Sequence, residues 1–177
     1  MSHYRRVRIQ GGSYFFTVNL SDRRSTLLTD EHDLLKKSLQ SIKRKHPFKL
    51  HGWVVLPDHL HCIWTLPAKD TDYPGRWREI KKAFTNACRN KYRTFPAQLW
   101  QPRFWEHTIR NQTDFKNHFD YIHFNPVKHG YVEQVKNWPY SSFHYFVKAG
   151  MYSENWGGDI KPISMPDAGE RFNNDCR

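Results

Sequence analysis

Residues 50–66 constrain the fold of this chain more than any other stretch. Leu50 to Leu56 and His59 to Leu66 are two runs rich in β-forming side chains, separated only by Pro57-Asp58. So short a connection joins antiparallel neighbours, because a parallel crossover needs about a dozen residues or more. The second run contains His59-Leu60-His61. Side chains alternate faces along a strand, so His59 and His61 share one face and Leu60 lies on the other. Two neutral imidazoles side by side are a donor pair for a divalent ion such as Zn, Mn or Ni. Two ligands do not close a structural zinc site, so a metal held there keeps positions open for substrate. Taken alone, a His-x-His pair in a chain with 11 histidines fits packed, hydrogen-bonded imidazoles better than a ligand pair.

The neighbouring segments supply the rest of a fold. Gly11-Gly12 signals a turn, and Tyr14 to Leu20 reads as a first strand. A helix capped by Thr29 or Asp30 is predicted to run to about Lys45, with Leu35, Leu39 and Ile42 on its core face and Pro47 beyond its end. After a loop from Pro67 to Pro74, a second helix is predicted over Arg76 to Thr94, burying Trp77, Ile80, Phe84 and Ala87. Leu99 to Ile109 is aromatic and alternating, with a bend at Pro102, and reads as a last strand. The order β-α-β-β-α-β predicts an α+β fold of the ferredoxin-like kind, an antiparallel sheet with both helices on one face. The other face is left for a site. Residues 1–12 read as a basic arm, 13–148 as one domain and 149–177 as a flexible, Gly- and Pro-containing tail.

A third helix is expected over Asp114 to Asn125, capped by Thr113 and stopped by Pro126. Phe115, Phe119 and Ile122 should pack on the domain. His118, Tyr121 and Asn125 form a separate stripe, with a bend expected where Asn125 precedes the proline. Laid over the open sheet face, Asn125 could supply a third metal ligand beside His59 and His61, with Tyr121 next to a metal-bound phosphate. A phenol is a poor nucleophile near its ordinary pKa. A metal ion that polarises a phosphodiester allows it to attack phosphorus and form a covalent phosphotyrosine. From spacing alone an ordinary half-buried tyrosine fits Tyr121 better than a nucleophile.

Composition narrows the partners. Of 177 residues, 28 are Lys or Arg and 17 Asp or Glu, a net charge of +11, with 16% aromatic side chains. A basic, aromatic domain suits nucleic acid, and its rings suit unpaired bases. Tyr4-Arg5-Arg6-Val7-Arg8 fits an arm that stacks on bases and reaches their edges, or equally a solvated tail. Cys62, Cys88 and Cys176 are odd in number and contain no CxxC pair, as expected of reduced thiols in a cytoplasmic, nucleoid-associated protein. No signal-peptide pattern and no membrane-length apolar run is evident, so no membrane partner is expected.

Several longer motifs carry a resemblance. Tyr4-Arg5-Arg6, Gly12-Ser13-Tyr14-Phe15-Phe16-Thr17, Leu56-Pro57-Asp58-His59-Leu60-His61, Phe104-Trp105-Glu106-His107 and Asp120-Tyr121-Ile122-His123-Phe124-Asn125-Pro126-Val127-Lys128-His129-Gly130 together resemble the REP-associated tyrosine transposases, single-tyrosine members of the HUH endonucleases. The likeness spans roughly residues 4 to 145. It implies cleavage of single-stranded DNA beside hairpins formed by repetitive extragenic palindromes, a divalent cofactor (Mg or Mn) and a 5′-phosphotyrosine intermediate. It implies Tyr121 as nucleophile, His59, His61 and Asn125 as metal ligands, and Tyr4, Arg5 and Arg6 as readers of the tetranucleotide at the hairpin foot. No small-molecule cofactor is implied, and the protein is expected as a monomer or dimer. Asp58 and His123 read as supporting neighbours, and Lys128 and His129 as phosphate contacts or surface residues. Two rivals remain: a non-catalytic hairpin-binding regulator, which does not need His59, His61 and Tyr121 together, and a zinc hydrolase, for which no HExxH-type pattern is evident.

Overall fold

The computed structural model describes residues 7–158 and 168–169. Its elements, in chain order, are β1 (Ser13–Asn19), α1 (Leu27–Asp30), α2 (His32–Lys45), β2 (Lys49–Val55), β3 (His59–Thr65), α3 (Tyr73–Lys91), β4 (Trp105–Thr108), α4 (Gln112–Lys128), a 3-10 turn (Val135–Asn137) and α5 (Phe143–Lys148). The four strands form one antiparallel sheet in the order β2-β3-β1-β4. This is the ferredoxin-like plan expected from the sequence. The arm residues Tyr4, Arg5 and Arg6, most of the tail and Cys176 lie outside the described residues. Among the described residues no helix is long and apolar enough to cross a membrane.

Period-two alternation sorts the two central strands into two surfaces. Tyr14, Phe16 and Val18 on β1 and Leu20 just after it, with Leu60, Cys62 and Trp64 on β3, face α2 and α3 in the larger core. There Trp64 and Trp77 stack with centroids 4.7 Å apart, and Leu35, Leu39 and Ile42 contribute the inner stripe of α2. Each such fully buried side chain stabilises the fold by roughly 1.5–3 kcal/mol relative to exposure. Phe15 and Ile63 point the opposite way and pack with Phe119, Tyr121 and Ile122 of α4. Thus α4 covers the face that α2 and α3 leave open.

Several boundaries differ from the sequence expectation for local reasons. The first expected helix is α2, and a short helix not expected from the sequence, α1, precedes it. Glu31 between them has a buried carboxylate that accepts from Lys91 Nζ at 2.6 Å and from the Tyr92 hydroxyl. α3 begins at Tyr73 rather than Arg76, because Asp72 caps Gly75 N at 2.9 Å and Pro74 is harmless in a first turn. Cys88, not Ala87, completes its buried stripe. α4 is capped by Asn111, which accepts from Asp114 N at 2.9 Å, and not by Thr113. It also runs through Pro126 to Lys128 without the expected stop. The proline removes one donor near the end of the helix, and the next turn is held by His129 N to Asn125 O at 3.0 Å and by Phe124 and Val127 packing in a third cluster.

Segment 138–142 closes the β2 edge. Val55 N donates to Tyr140 O at 2.8 Å, Ser142 N to Trp53 O at 2.9 Å and the Trp138 indole to Val55 O at 2.9 Å. At the β2 irregularity between Leu50 and Gly52, α4 approaches so closely that a Cβ on Gly52 would lie 2.7 Å from Phe119 Cε2. Phe119 is itself fixed among Phe115, His123 and Phe146. Gly52→Val is therefore expected to destabilise the fold by about 1–3 kcal/mol, read as a lower urea midpoint with an unchanged slope.

Candidate active site

The site lies where β1 and β3 end side by side beneath α4. In their register Thr17 stands opposite His61 and Asn19 opposite His59. All four side chains are buried on the α4 face of the sheet. The two imidazoles meet edge to face, 5.0 Å between centroids and 86° between planes. Tyr121 lies over the same group, 5.5 Å from the His61 ring and 6.0 Å from Phe15. At the far end of α4, His129 lies 5.2 Å from His59. Asn125 is four residues after Tyr121 and four before His129, so one helical stripe carries it past the pair. His59, His61, Tyr121 and Asn125, far apart in sequence, thus meet within one buried region.

Hydrogen bonds at the Nδ1 atoms orient both rings. Asp58 Oδ1 accepts from His59 Nδ1 at 2.7 Å, since a carboxylate has no proton to give. Burial alone would raise the Asp58 pKa, but His59 and Arg23, whose Nε lies 3.0 Å from Oδ2, bring it below the usual carboxylate value. Burial also lowers the pKa of His59 and keeps its imidazole neutral, with Asp58 opposing. The Thr17 hydroxyl donates to Ala168 O at 2.5 Å and so presents its lone pairs to His61 Nδ1 at 2.8 Å. Both histidines accordingly carry the proton on Nδ1, leaving Nε2 as the lone-pair atom. The Nε2 atom of His59 is buried and makes no hydrogen bond among the described residues. Two neutral imidazole nitrogens and a buried amide oxygen, Asn125 Oδ1, are a donor set that suits a divalent ion with positions left open.

Lys128, seven residues after Tyr121, returns over it. Its Nζ donates to the Tyr121 hydroxyl at 2.7 Å and sits 4.7 Å from the ring centroid. The phenol oxygen is thus fixed by a cation on its own helix. Thr17, Asn19 and Arg23 were not identifiable as site residues from the sequence. Their places depend on the β1–β3 register and on Arg23 folding back to Asp58, while its Nη1 donates to Asn19 Oδ1 at 2.5 Å. Strand alternation could have put Thr17 and Asn19 on the right face, but not opposite the histidines. Gly169 O accepts from Asn19 Nδ2 at 3.3 Å, so residues 168–169 rest against the same floor.

His118 does not join the pair, although it shares the expected stripe. Its ring stacks on His107 at 4.4 Å, and its Nδ1 lies 2.8 Å from Asp114 O and 3.0 Å from Asp114 Oδ1. Asp114 also accepts from His107 Nε2 at 2.9 Å and Arg110 N at 2.9 Å. These three side chains are close enough to hold a metal ion, but their hydrogen bonds to one another clamp the first turn of α4 to β4. His123 likewise faces away from the pair. Burial pushes its pKa down to about 3, and its Nε2 is 2.9 Å from Ser142 Oγ.

Comparisons with known proteins place the chain in a family. Residues 10–124 match the family model described as "Transposase IS200 like". The REP-associated tyrosine transposase of Escherichia coli (strain K12) is 54% identical over 172 residues, covering 97% of this chain and 99% of that protein. A solved structure of a REP-associated tyrosine transposase bound to a REP hairpin is 53% identical with a TM-score of 0.89, covering 97% of this chain and 99% of the other. Asp114→Ala should unlatch the first turn of α4 and cost about 1–3 kcal/mol in chemical denaturation. A loss near zero would mean that the clamp does not hold the helix.

Proposed function

The chain belongs to the IS200-like transposases, as a REP-associated tyrosine transposase and an enzyme of the transposase type, and from that premise we propose that it cleaves and rejoins single-stranded DNA beside palindromic hairpins through Tyr121. The observation that carries this reading is the buried meeting of Tyr121 with His59 and His61 on the sheet face beneath α4. Neither a core nor a binding surface requires two desolvated imidazoles aimed by Asp58 and Thr17. A purely regulatory hairpin binder has no use for that arrangement.

His59 Nε2, His61 Nε2 and Asn125 Oδ1 are the atoms that would hold a divalent ion, Mg or Mn. When bound, such an ion acts as a Lewis acid on the scissile phosphate and offsets charge on its oxygens. The chain's own residues do the rest. Lys128 aims the Tyr121 oxygen and offsets negative charge developing on it. The bond from Tyr121 Oη to phosphorus forms as the phosphorus–O3′ bond breaks. The phenolic proton leaves to solvent, and the departing 3′-oxygen is protonated by water. The 5′-phosphotyrosine retains the energy of the broken bond, so attack by another 3′-hydroxyl reverses the step and joins a new pair of ends. Tyr4, Arg5 and Arg6, in the arm of residues 1–12, would read the tetranucleotide beside the hairpin foot.

The test is formation of a covalent protein–DNA adduct on single-stranded hairpin DNA supplied with Mg or Mn. Tyr121→Phe should abolish the adduct while hairpin affinity stays within several-fold. An adduct that survives this change refutes Tyr121 as nucleophile. Chelation, His59→Ala or His61→Ala should also stop cleavage, and unaffected cleavage would remove the metal from the reading. Lys128→Ala should slow adduct formation by roughly 100-fold with little change in DNA affinity. An unchanged rate would reduce Lys128 to a packing residue.

A further inference from the structure

A cleft of about 380 Å³ opens at the same end of the sheet as His59, on its helix side. Leu20, Leu27, Leu99, Tyr92 and Phe95 give it an apolar lining, and Gln98 and the Asp22 carboxylate add polar groups. The Tyr92 and Phe95 rings are near-parallel, 24° apart with centroids 6.4 Å apart, and both are half-buried. Tyr92 is held in place by its hydroxyl on Glu31, and Arg89 donates to Ala97 O at 3.3 Å to fix the loop that carries Phe95. The cleft is therefore built in advance rather than formed by a collapsing loop.

Its position ties it to the proposed cleavage site. Leu20 directly follows Asn19, the register partner of His59, and its amide donates to Asp58 O at 2.8 Å. Ser21 N donates to Leu99 O at 2.9 Å, so the lining is continuous with the end of β1. The loop between the two places carries Arg23, on Asp58, and the exposed Arg24, whose Nε lies 3.4 Å from the Asp22 carboxylate and is open to exchange that exposed partner for a phosphate. Arg89 and Arg93 are exposed on the other side. Flat aromatic rings, a hydrogen-bonding amide and surrounding guanidinium groups are the chemistry that takes an unpaired base and its phosphate. An apolar protein segment would match the lining but not the cations.

We propose that this cleft receives one unpaired nucleobase of the single-stranded DNA flanking the scissile phosphate, stacked on Phe95 and Tyr92 with its edge toward Gln98. The strand leaving the histidine pair would cross the Arg23–Arg24 loop to reach it. The inference rests on the reading of Tyr121 and the histidines as a DNA-cleaving site.

The test is an abasic scan. Hairpin DNA with single-stranded flanks is prepared with one flank base removed at each position in turn, and affinity is read by fluorescence anisotropy on the full chain. Besides the tetranucleotide positions assigned to the arm, one position is expected to stand out, weakening wild-type binding by about 10-fold, and the scan is judged flat or positive outside that tetranucleotide. Phe95→Ala should lose a similar factor on intact DNA and be insensitive to the abasic site at that position, while Phe95→Trp should keep both the affinity and the sensitivity. A flat scan on wild-type protein overturns the cleft without any variant having to fold. So does a Phe95→Ala protein that still senses the missing base. Adduct formation is measured in parallel. Normal adducts with a flat scan remove only the cleft, and a positive scan without adducts removes only the cleavage reading.

Discussion

The antiparallel pairing of β1 with β3 is the constraint from which the rest follows. It divides a single seven-residue strand into two chemistries: Leu60, Cys62 and Trp64 close the main core, while His59, His61 and Ile63 belong to the opposite face. A slip of one residue in β3 would drive both imidazoles toward Phe16 and Trp77 and turn Trp64 to the opposite face. The hydrophobic effect that selects the register therefore also selects which way the histidines point. The same register sets Thr17 and Asn19 opposite them, so the site's supporting groups arrive with no further ordering of the backbone.

What the sheet cannot do is bring the phenol. That is the work of α4, whose height above the sheet is set by the close approach of Phe119 to Gly52 and whose first turn is latched by Asp114 to His107. Its last turn continues past Pro126, so Lys128 remains on the helix and reaches back to the Tyr121 oxygen. Had the helix ended at Asn125, that cation would have no fixed path to the phenol. The two halves of the site are thus rigidly carried, one by strands and one by a helix packed directly on them.

Much of this arrangement could be read from the sequence because it follows from periodicity. The alternation of 59–65 and the helical spacing of Leu35, Leu39 and Ile42 each specify a face without reference to anything distant. The motifs around His59 and Tyr121 pointed to the same family that the comparisons identify. The failures share a different cause. The short α1 is not foreseen, and Glu31 after it is held by Lys91 and Tyr92, about sixty residues away; Pro126 is tolerated where Phe124 and Val127 pack against α5 and its neighbours. Arg23 and Thr17 gain their importance only through partners brought by pairing. His118 fits the Tyr121 stripe by spacing but is diverted by a carboxylate one turn earlier. Local rules describe elements well and say little about contacts that tertiary structure creates.

The surroundings of the imidazole pair have an evolutionary consequence. His59 and His61 share a sheet face with Thr17, Asn19, Phe15 and Ile63, and each ring is tied to a buried neighbour, His59 to Asp58 and His61 to Thr17. An aliphatic side chain at either position would leave that neighbour without its partner, most severely the Asp58 carboxylate. Loss of a histidine therefore costs folding stability as well as a candidate ligand. A lineage that sheds the pair without weakening its fold has to change Asp58 or Thr17 along with it.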